Sequence, residues 1–385
     1  MNEPILEELI LTGGQRFHLG AGALAEAGRR LREMSPRRPL VVISRGRLAE
    51  AGEKLAAAGL LPPGSVFFHD FSVNPGWEEI LAGSSVFRNA DPDLVIAVGG
   101  GSAIDAGKLI KALARAENAN PRPDGIRVRP GGPPLAAVAT TAGSGSEATP
   151  FATFYVGETK HSLDHPALLP EIAVADPALS SALPPRLTAA TGFDALAQAV
   201  ESYWARGATT ESRRLAKKAL GLVLPNLPGA VENPLPARRL ALAEGAYWAG
   251  RAIAISLTTA PHALSYFLTR RHGIPHGHAV ALTLANFIRI NAESGEDGES
   301  PPGEAPWLTA GREAPALLDR DSPAAAAAFW RELLRRCGLA ATLPEAGISP
   351  GEIAEMVERV NPERLANNPV AVSRGRLIRE LRVDF

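Results

Sequence analysis

Val95-Ile96-Ala97-Val98 runs directly into Gly99-Gly100-Gly101-Ser102, and Ala103-Ile104-Asp105-Ala106-Gly107-Lys108 follows. A continuous apolar run, a glycine turn and a helical segment make a strand–turn–helix unit. A strand this apolar needs cover on both faces, which points to a parallel sheet between helices. Glycines let the backbone approach a pyrophosphate, and a helix N-terminus offers free N–H groups and a positive dipole end. The spacing is neither GxGxxG nor a P-loop. A bare glycine turn is also an ordinary structural device, so this feature alone leaves nucleotide binding and a structural turn both open.

Other segments repeat the alternation. Residues 38–44, Phe67–Phe71, Asp93–Val98, Pro134–Thr140 and Ile172–Ala175 read as strands. Leu48–Ala58, Trp77–Arg88 and Ala103–Arg115 read as helices, with a turn at Asn74-Pro75-Gly76. Strands alternating with helices predict βαβ units. The character changes near residue 178. Asp194–Trp204, Thr210–Leu222, Ala237–Ala254, Ala324–Arg336 and Pro350–Val360 carry helical spacing, and no convincing strand follows. A chain of 385 residues suits two domains. The expected division is an α/β nucleotide-binding domain with a parallel sheet over 1–178 and an all-helical domain over 179–385. The Gly/Pro-rich stretches Asn120–Pro134 and Glu293–Glu304 are expected to be surface loops.

Charge narrows the function classes. Forty Lys and Arg against 41 Asp and Glu leave a net charge of −1, without the basic field that nucleic acid or a membrane surface requires. The single cysteine, Cys337, excludes an intrachain disulfide and a cysteine zinc site, and fits a reducing cytoplasm. Met1-Asn2-Glu3-Pro4 has no basic n-region followed by an apolar h-region, so no signal peptide is expected, and no apolar run approaches the ~18 residues of a membrane span.

A second glycine-rich element, Thr140-Thr141-Ala142-Gly143-Ser144-Gly145-Ser146-Glu147, follows another apolar strand. Its hydroxyls and N–H groups suit phosphate or ribose, and equally a turn that caps a helix. Four of the eight histidines fall in one window: His262, His272, His276 and His278. Asp194 has Gln198 at i+4 on the same helix face. A carboxylate, an amide oxygen and two imidazoles are a possible donor set for a divalent metal, although such histidines also serve as surface or capping residues.

Taken together, Gly99-Gly100-Gly101-Ser102-x-x-Asp105-x-x-Lys108, the Thr140–Glu147 loop, Gly192-Phe193-Asp194-Ala195-Leu196-Ala197-Gln198 and Pro275-His276-Gly277 resemble the iron-containing (group III) alcohol dehydrogenases, in order and approximate spacing. Asn74-Pro75, Asp176-Pro177 and Asn367-Asn368-Pro369 add to the likeness, which covers nearly the whole chain. The resemblance implies the dehydroquinate synthase-like fold of that family, with metal and nicotinamide in a cleft between the domains. It implies metal ligands at Asp194, His262 and His276. Where the family carries its first histidine, this chain has Gln198, a harder and weaker ligand. The implied ion is Fe²⁺ or Zn²⁺, with loss of the metal as the alternative. Another family histidine is replaced here by Tyr266, so Tyr266 and the extra imidazole His278 are the expected proton donors.

For the cofactor, the resemblance implies pyrophosphate contacts from Gly99, Gly100, Gly101 and Ser102. It implies further contacts from Thr140, Thr141 and Ser144, with Asp105 and Lys160 nearer the nicotinamide ribose. NAD-preferring members carry an aspartate after the second strand. Here Ser44 is followed by Arg45, which favours NADP(H) over NAD(H). A narrower similarity is to the phosphonoacetaldehyde reductases, on Lys160–Pro166, Asp194–Trp204 with its glutamine, Thr258–Tyr266 and Gly273–Val280. It implies reduction of a phosphonate-bearing aldehyde, phosphonoacetaldehyde, to the primary alcohol 2-hydroxyethylphosphonate, with Arg270, Arg271, Lys160, His161 and His165 as candidate anion contacts. The rivals are a dehydroquinate-synthase-like lyase, a dehydrogenase acting on another small aldehyde, and a metal-free nucleotide binder. A homodimer is common in the family.

Overall fold

Four buried strands organise the N-terminal half: β3 (Pro39–Ile43), β5 (Leu94–Gly99), β6 (Leu135–Ala139) and β9 (Ile172–Ala175) have every residue buried. The protein is described by a computed structural model covering residues 7–10, 14–116, 123, 126–292 and 305–384. The expected loop at Glu293–Glu304, residues Met1–Pro4 and part of Asn120–Pro134 lie outside the described residues. The chain divides into two compact units. One is Met1–Ala182 with Leu235–Tyr247; the other is Leu183–Pro234 with Trp248–Phe385.

In the first unit, β1 (Glu7–Ile10), β2 (Arg16–Leu19) and β4 (Val66–Phe68) extend the sheet to seven strands in the order β1-β2-β9-β6-β5-β3-β4. All pairings are parallel except β1 on β2. One face is covered by α1 (Ala23–Glu33) and α2 (Arg45–Ala57), through Leu24, Leu31 and Leu55. The other is covered by α3 (Trp77–Ala90) and α4 (Gly101–Ala114), through Ile80, Phe87, Leu109 and Ile110. Cover on both faces is why these strands are continuous apolar runs. The connection from β3 leads outward to β4, whereas that from β5 leads the opposite way to β6. The C-terminal ends of β3 and β5 therefore flank a topological switch point, the place where open α/β sheets bind ligands.

Some details differ from the sequence reading. Helix α2 starts at Arg45 rather than Leu48, because Ser44 caps it by accepting from Arg47 N at 3.2 Å. Strand β4 is shorter than Phe67–Phe71. A separate antiparallel hairpin, β7 (Phe151–Val156) and β8 (Thr159–Asp164), follows the second glycine loop. Asp176 caps α5 (Pro177–Ser180) and also accepts from Gly22 N and Leu24 N, so the Asp176-Pro177 motif ties together two chain segments.

The second unit contains α6 (Pro185–Trp204), α7 (Thr210–Glu232), the later part of α8 (Pro236–Ser256), α9 (Ala260–His272), α10 (His276–Ala292), α11 (Pro306–Leu317), α12 (Pro323–Arg336), α13 (Pro350–Arg359), α14 (Pro362–Leu365) and α15 (Arg374–Leu381). It has no strand among the described residues. Helices α6 and α10 form its centre, and nearly all their residues are buried. Asn367 donates to Ser256 O and Thr258 O, while Asn368 donates to Asn291 Oδ1 and Val370 O, so this motif clamps the helices together. Among the described residues no helix is long and apolar enough to cross a membrane.

Candidate metal centre and nucleotide loops

Helix α6 places Asp194, Gln198 and Glu201 on one face, at i, i+4 and i+7. All three are buried. Helix α10 starts against them: a Cβ on Gly277 would lie 2.1 Å from Ala190 O and 2.5 Å from Asp194 Cβ. Only glycine lets α10 come this close, and that approach brings His276 beside Asp194. Asp194, His262 and His276 each present a ligand atom within 4.8 Å of the other two.

His262 is oriented from behind. Its Nδ1 lies 2.5 Å from Glu201 Oε1. Glu201 Oε2 accepts from Thr259 N at 2.6 Å and Thr259 Oγ1 at 2.8 Å, and Trp204 Nε1 donates to that hydroxyl at 3.1 Å. A carboxylate on Nδ1 keeps the proton there, so Nε2 offers its lone pair. That Nε2 is buried, makes no hydrogen bond and lies 3.4 Å from Asp194 Oδ1. Burial opposes a charged ring here, but the Glu201 and Asp194 carboxylates outweigh it and push His262 up to about 10, so with no metal bound the ring carries the positive charge between them. A divalent ion at Nε2 would take the place of that proton. A carboxylate and two imidazoles suit Fe²⁺ or Zn²⁺, so the residues present fit a divalent metal.

His276 meets the His262 ring edge-on, with centroids 5.5 Å apart, and stacks on Tyr266 at 6.1 Å. Tyr266 Oη accepts from Arg364 Nη1 at 3.1 Å. His278 behaves differently. Its Nε2 donates to Ala340 O at 2.8 Å, and burial lowers its pKa. The structure thus brings Tyr266 to the cluster and ties His278 to a backbone carbonyl.

In the first unit the two glycine loops pack on each other. A Cβ on Gly100 would lie 2.9 Å from Thr141 Oγ1, and one on Gly101 would lie 2.7 Å from Ser144 Oγ. Gly99 has φ +155 and opens the turn into α4, whose N-terminal N–H groups face the switch point. Ser102 Oγ accepts from Asn74 N at 3.1 Å. Thr140 Oγ1 is buried without a hydrogen-bond partner in a small cavity lined by Thr141, Ala142, Glu147, Asp176 and Ser180. A buried hydroxyl left without a partner in that cavity fits a small polar ligand.

Asp105 and Lys108 hold these loops together. Asp105 accepts from Ser146 Oγ through one oxygen, and from Thr153 N (3.0 Å) and Thr153 Oγ1 (2.9 Å) through the other. Fully buried Lys108 donates to the carbonyls of Ser146 (2.6 Å), Thr149 (2.9 Å) and Phe151 (2.8 Å). The oxygens expected at a ribose are thus engaged within the loop. Burial lowers Lys108 to about 8 against the charges of Asp105 and Glu147, and it raises Glu147 to about 7. Arg45 sits on the first turn of α2 in a solvent-exposed pair with Asp70 at 3.0 Å. Lys160 stands opposite Tyr155 in the β7–β8 hairpin, half-buried.

Residues 14–177 match the iron-containing alcohol dehydrogenase model, and residues 188–382 match the C-terminal model of the same family. This chain belongs to the iron-containing alcohol dehydrogenase family. The dehydrogenase is 35% identical over 337 residues to a phosphonoacetaldehyde reductase of Streptomyces viridochromogenes, covering 82% of each chain. It is 30% identical over 283 residues to an NAD-dependent methanol dehydrogenase of Bacillus methanolicus, covering 71% of this chain and 73% of that one. Among solved structures, sulfoacetaldehyde reductase from Bifidobacterium kashiwanohense in complex with NAD⁺ has a TM-score of 0.83 at 29% identity, covering 95% of both chains. The relatives are alcohol dehydrogenases and aldehyde reductases, and this dehydrogenase is an oxidoreductase of that kind.

Sequence reasoning missed Glu201 and Arg364. Glu201 was signalled by its place seven residues beyond Asp194, on the helix face that bears Asp194 and Gln198. Arg364 left no local sign, because it reaches Tyr266 from a helix 98 residues away.

Proposed function

We propose that this dehydrogenase reduces phosphonoacetaldehyde to 2-hydroxyethylphosphonate with NADPH, using a divalent ion held by Asp194, His262 and His276 with Gln198 assisting. The observation that carries the reading is the His262 imidazole, fixed at Nδ1 by Glu201 and directed at Asp194 through Nε2. That arrangement serves a metal rather than packing. A phosphonoacetaldehyde reductase at 35% identity and a sulfoacetaldehyde reductase at TM-score 0.83 support a short aldehyde with an acidic head group.

When bound, the metal supplies Lewis acidity to the aldehyde oxygen and the reduced nicotinamide supplies hydride to the carbonyl carbon. The chain's own groups do the rest. Tyr266 Oη accepts from Arg364 and so keeps its own proton to give to the forming alkoxide. His278 commits its Nε2 proton to the Ala340 carbonyl and burial keeps the ring neutral, which makes it the weaker candidate for this proton transfer. Gly99, Gly100, Gly101 and Ser102 present backbone N–H groups to the pyrophosphate, and Thr140, Thr141 and Ser144 line the neighbouring loop; Lys160 supports the ribose side, and Asp105 shapes the loop through Ser146 and Thr153. Ser44 sets the start of α2, and Arg45 pairs with a 2′-phosphate, in competition with exposed Asp70.

The test follows NADPH absorbance in metal-loaded protein with phosphonoacetaldehyde against neutral aldehydes of similar length. Preferential turnover of the phosphonate supports the proposal. Turnover of neutral aldehydes alone discards the phosphonate and leaves a dehydrogenase of another substrate.

A further inference from the structure

Arg364 stands on α14 beside the metal ligands of the second unit. It is half-buried, and its guanidinium lies 5.3 Å from the centre of the Tyr266 ring while donating to Tyr266 Oη at 3.1 Å. Tyr266 in turn stacks on His276. Among the described residues no carboxylate pairs with Arg364. The neighbouring cations differ. Arg271 lies 3.8 Å from Glu352 and 3.4 Å from Glu355, and His272 lies 3.3 Å from Glu352. Arg206 is spent on the carbonyls of Asn368 and Pro369. A half-buried guanidinium without a counter-ion is costly unless an anion arrives, and its planar fork matches the oxygens of a phosphonate or sulfonate.

We infer that Arg364 is the specificity residue of this site, binding the anionic head group of the aldehyde. The inference rests on the proposed function and names the group that recognises its substrate. Tyr266 contacts both His276 and Arg364, so a carbonyl held near His276 and an anion held by Arg364 would lie on either side of one tyrosine. A short aldehyde with an anionic far end suits that separation. In phosphonoacetaldehyde a single methylene separates the carbonyl carbon from phosphorus. Arg364 then has two tasks: it anchors the dianion, and by donating to Tyr266 Oη it turns the phenolic proton toward the reacting oxygen. The four remaining guanidinium N–H donors are enough for a two-point contact with phosphonate oxygens.

The test uses the full-length, metal-loaded protein with phosphonoacetaldehyde and 3,3-dimethylbutanal, in which a neutral tert-butyl group replaces the phosphonate. In R364Q the ratio of kcat/KM for the anionic over the neutral aldehyde is expected to fall by about 30-fold, mainly through KM, as the loss of a charge-assisted contact predicts. Competitive inhibition by methylphosphonate weakens in parallel, and R364K recovers part of both. An equal loss on both aldehydes would show that Arg364 acts only through Tyr266 and would overturn the inference. So would unchanged inhibition by methylphosphonate. A wild-type preference for the phosphonate that survives in R364Q overturns this inference alone. A wild-type protein with no such preference overturns the phosphonate reading together with it.

Discussion

His262 Nδ1 lies 2.5 Å from Glu201 Oε1, while Nε2 of the same ring lies 3.4 Å from Asp194 Oδ1. One carboxylate holds the ring at Nδ1, and the other lies on its far side, where the proposed ion would be shared. In E201Q the charge is lost, and an amide NH₂ must face either His262 Nδ1–H or the two donors of Thr259. Affinity for Zn²⁺, read by chelator competition, is expected to fall about 10- to 100-fold. The His262 ring should also lose its single tautomer in ¹⁵N NMR. Affinity and tautomer both unchanged would assign Glu201 to packing alone.

Gln198 faces the same way one turn after Asp194. As a weak oxygen ligand it is expected to lower Zn²⁺ affinity when removed and to raise it when exchanged for imidazole. Q198A should weaken binding by about 10-fold, and Q198H should strengthen it beyond wild type. Identical affinities in all three proteins would place Gln198 outside the metal's reach.

Tyr266 is the proposed proton donor. Y266F removes the phenol and keeps the stacking on His276, so kcat should fall about 100-fold with KM little changed. A variant at His278 is expected to lose thermal stability through the Ala340 bond, more than it loses turnover. A larger kcat loss at His278 than at Tyr266 would reverse the assignment.

Glu147 makes the first unit sensitive to pH. In the folded chain it keeps its proton up to about pH 7, whereas its ordinary value is 4.5. Between those values the folded state binds more protons, so stability falls as pH rises, by roughly 3 kcal/mol over the whole window. Lys108, lowered from 10.5 to about 8, acts oppositely: stability recovers as pH rises from 8 toward 10.5. Denaturant titrations of E147Q should show the acidic-side slope abolished. A slope equal to wild type would remove Glu147 as its source.

The layers of the fold were legible where burial was complete. β3, β5, β6 and β9 are unbroken apolar runs, and each was read within about a residue. β2 was not, since Arg16 and His18 interrupt its pattern and its partner β9 lies far along the chain. The β7–β8 hairpin escaped for a related reason: β8 is Thr-Lys-His-Ser-Leu-Asp, polar at most positions, and its own pairing rather than burial makes it a strand. In the candidate metal cluster, the family resemblance singled out Asp194, His262 and His276, and the fold brings their ligand atoms within 4.8 Å of one another; residue type and clustering alone left capping or surface histidines equally open. Asp105 shows the reverse limit. Its place in a nucleotide loop pointed outward to a ribose, while its carboxylate is engaged by Thr153 and Ser146. Residue type announced a charge in that loop, but the partner came from a hairpin that the sequence pattern did not show.

The most direct measurement is metal content alongside turnover. Protein loaded anaerobically with Fe²⁺ or Zn²⁺ is assayed for NADPH oxidation with phosphonoacetaldehyde, then chelated, then reloaded. The account predicts one divalent ion per chain, loss of turnover on chelation, recovery on reloading, and no stoichiometric metal in a variant lacking both Asp194 and His262. Undiminished turnover in protein shown to be metal-free, or in that double variant, would contradict it.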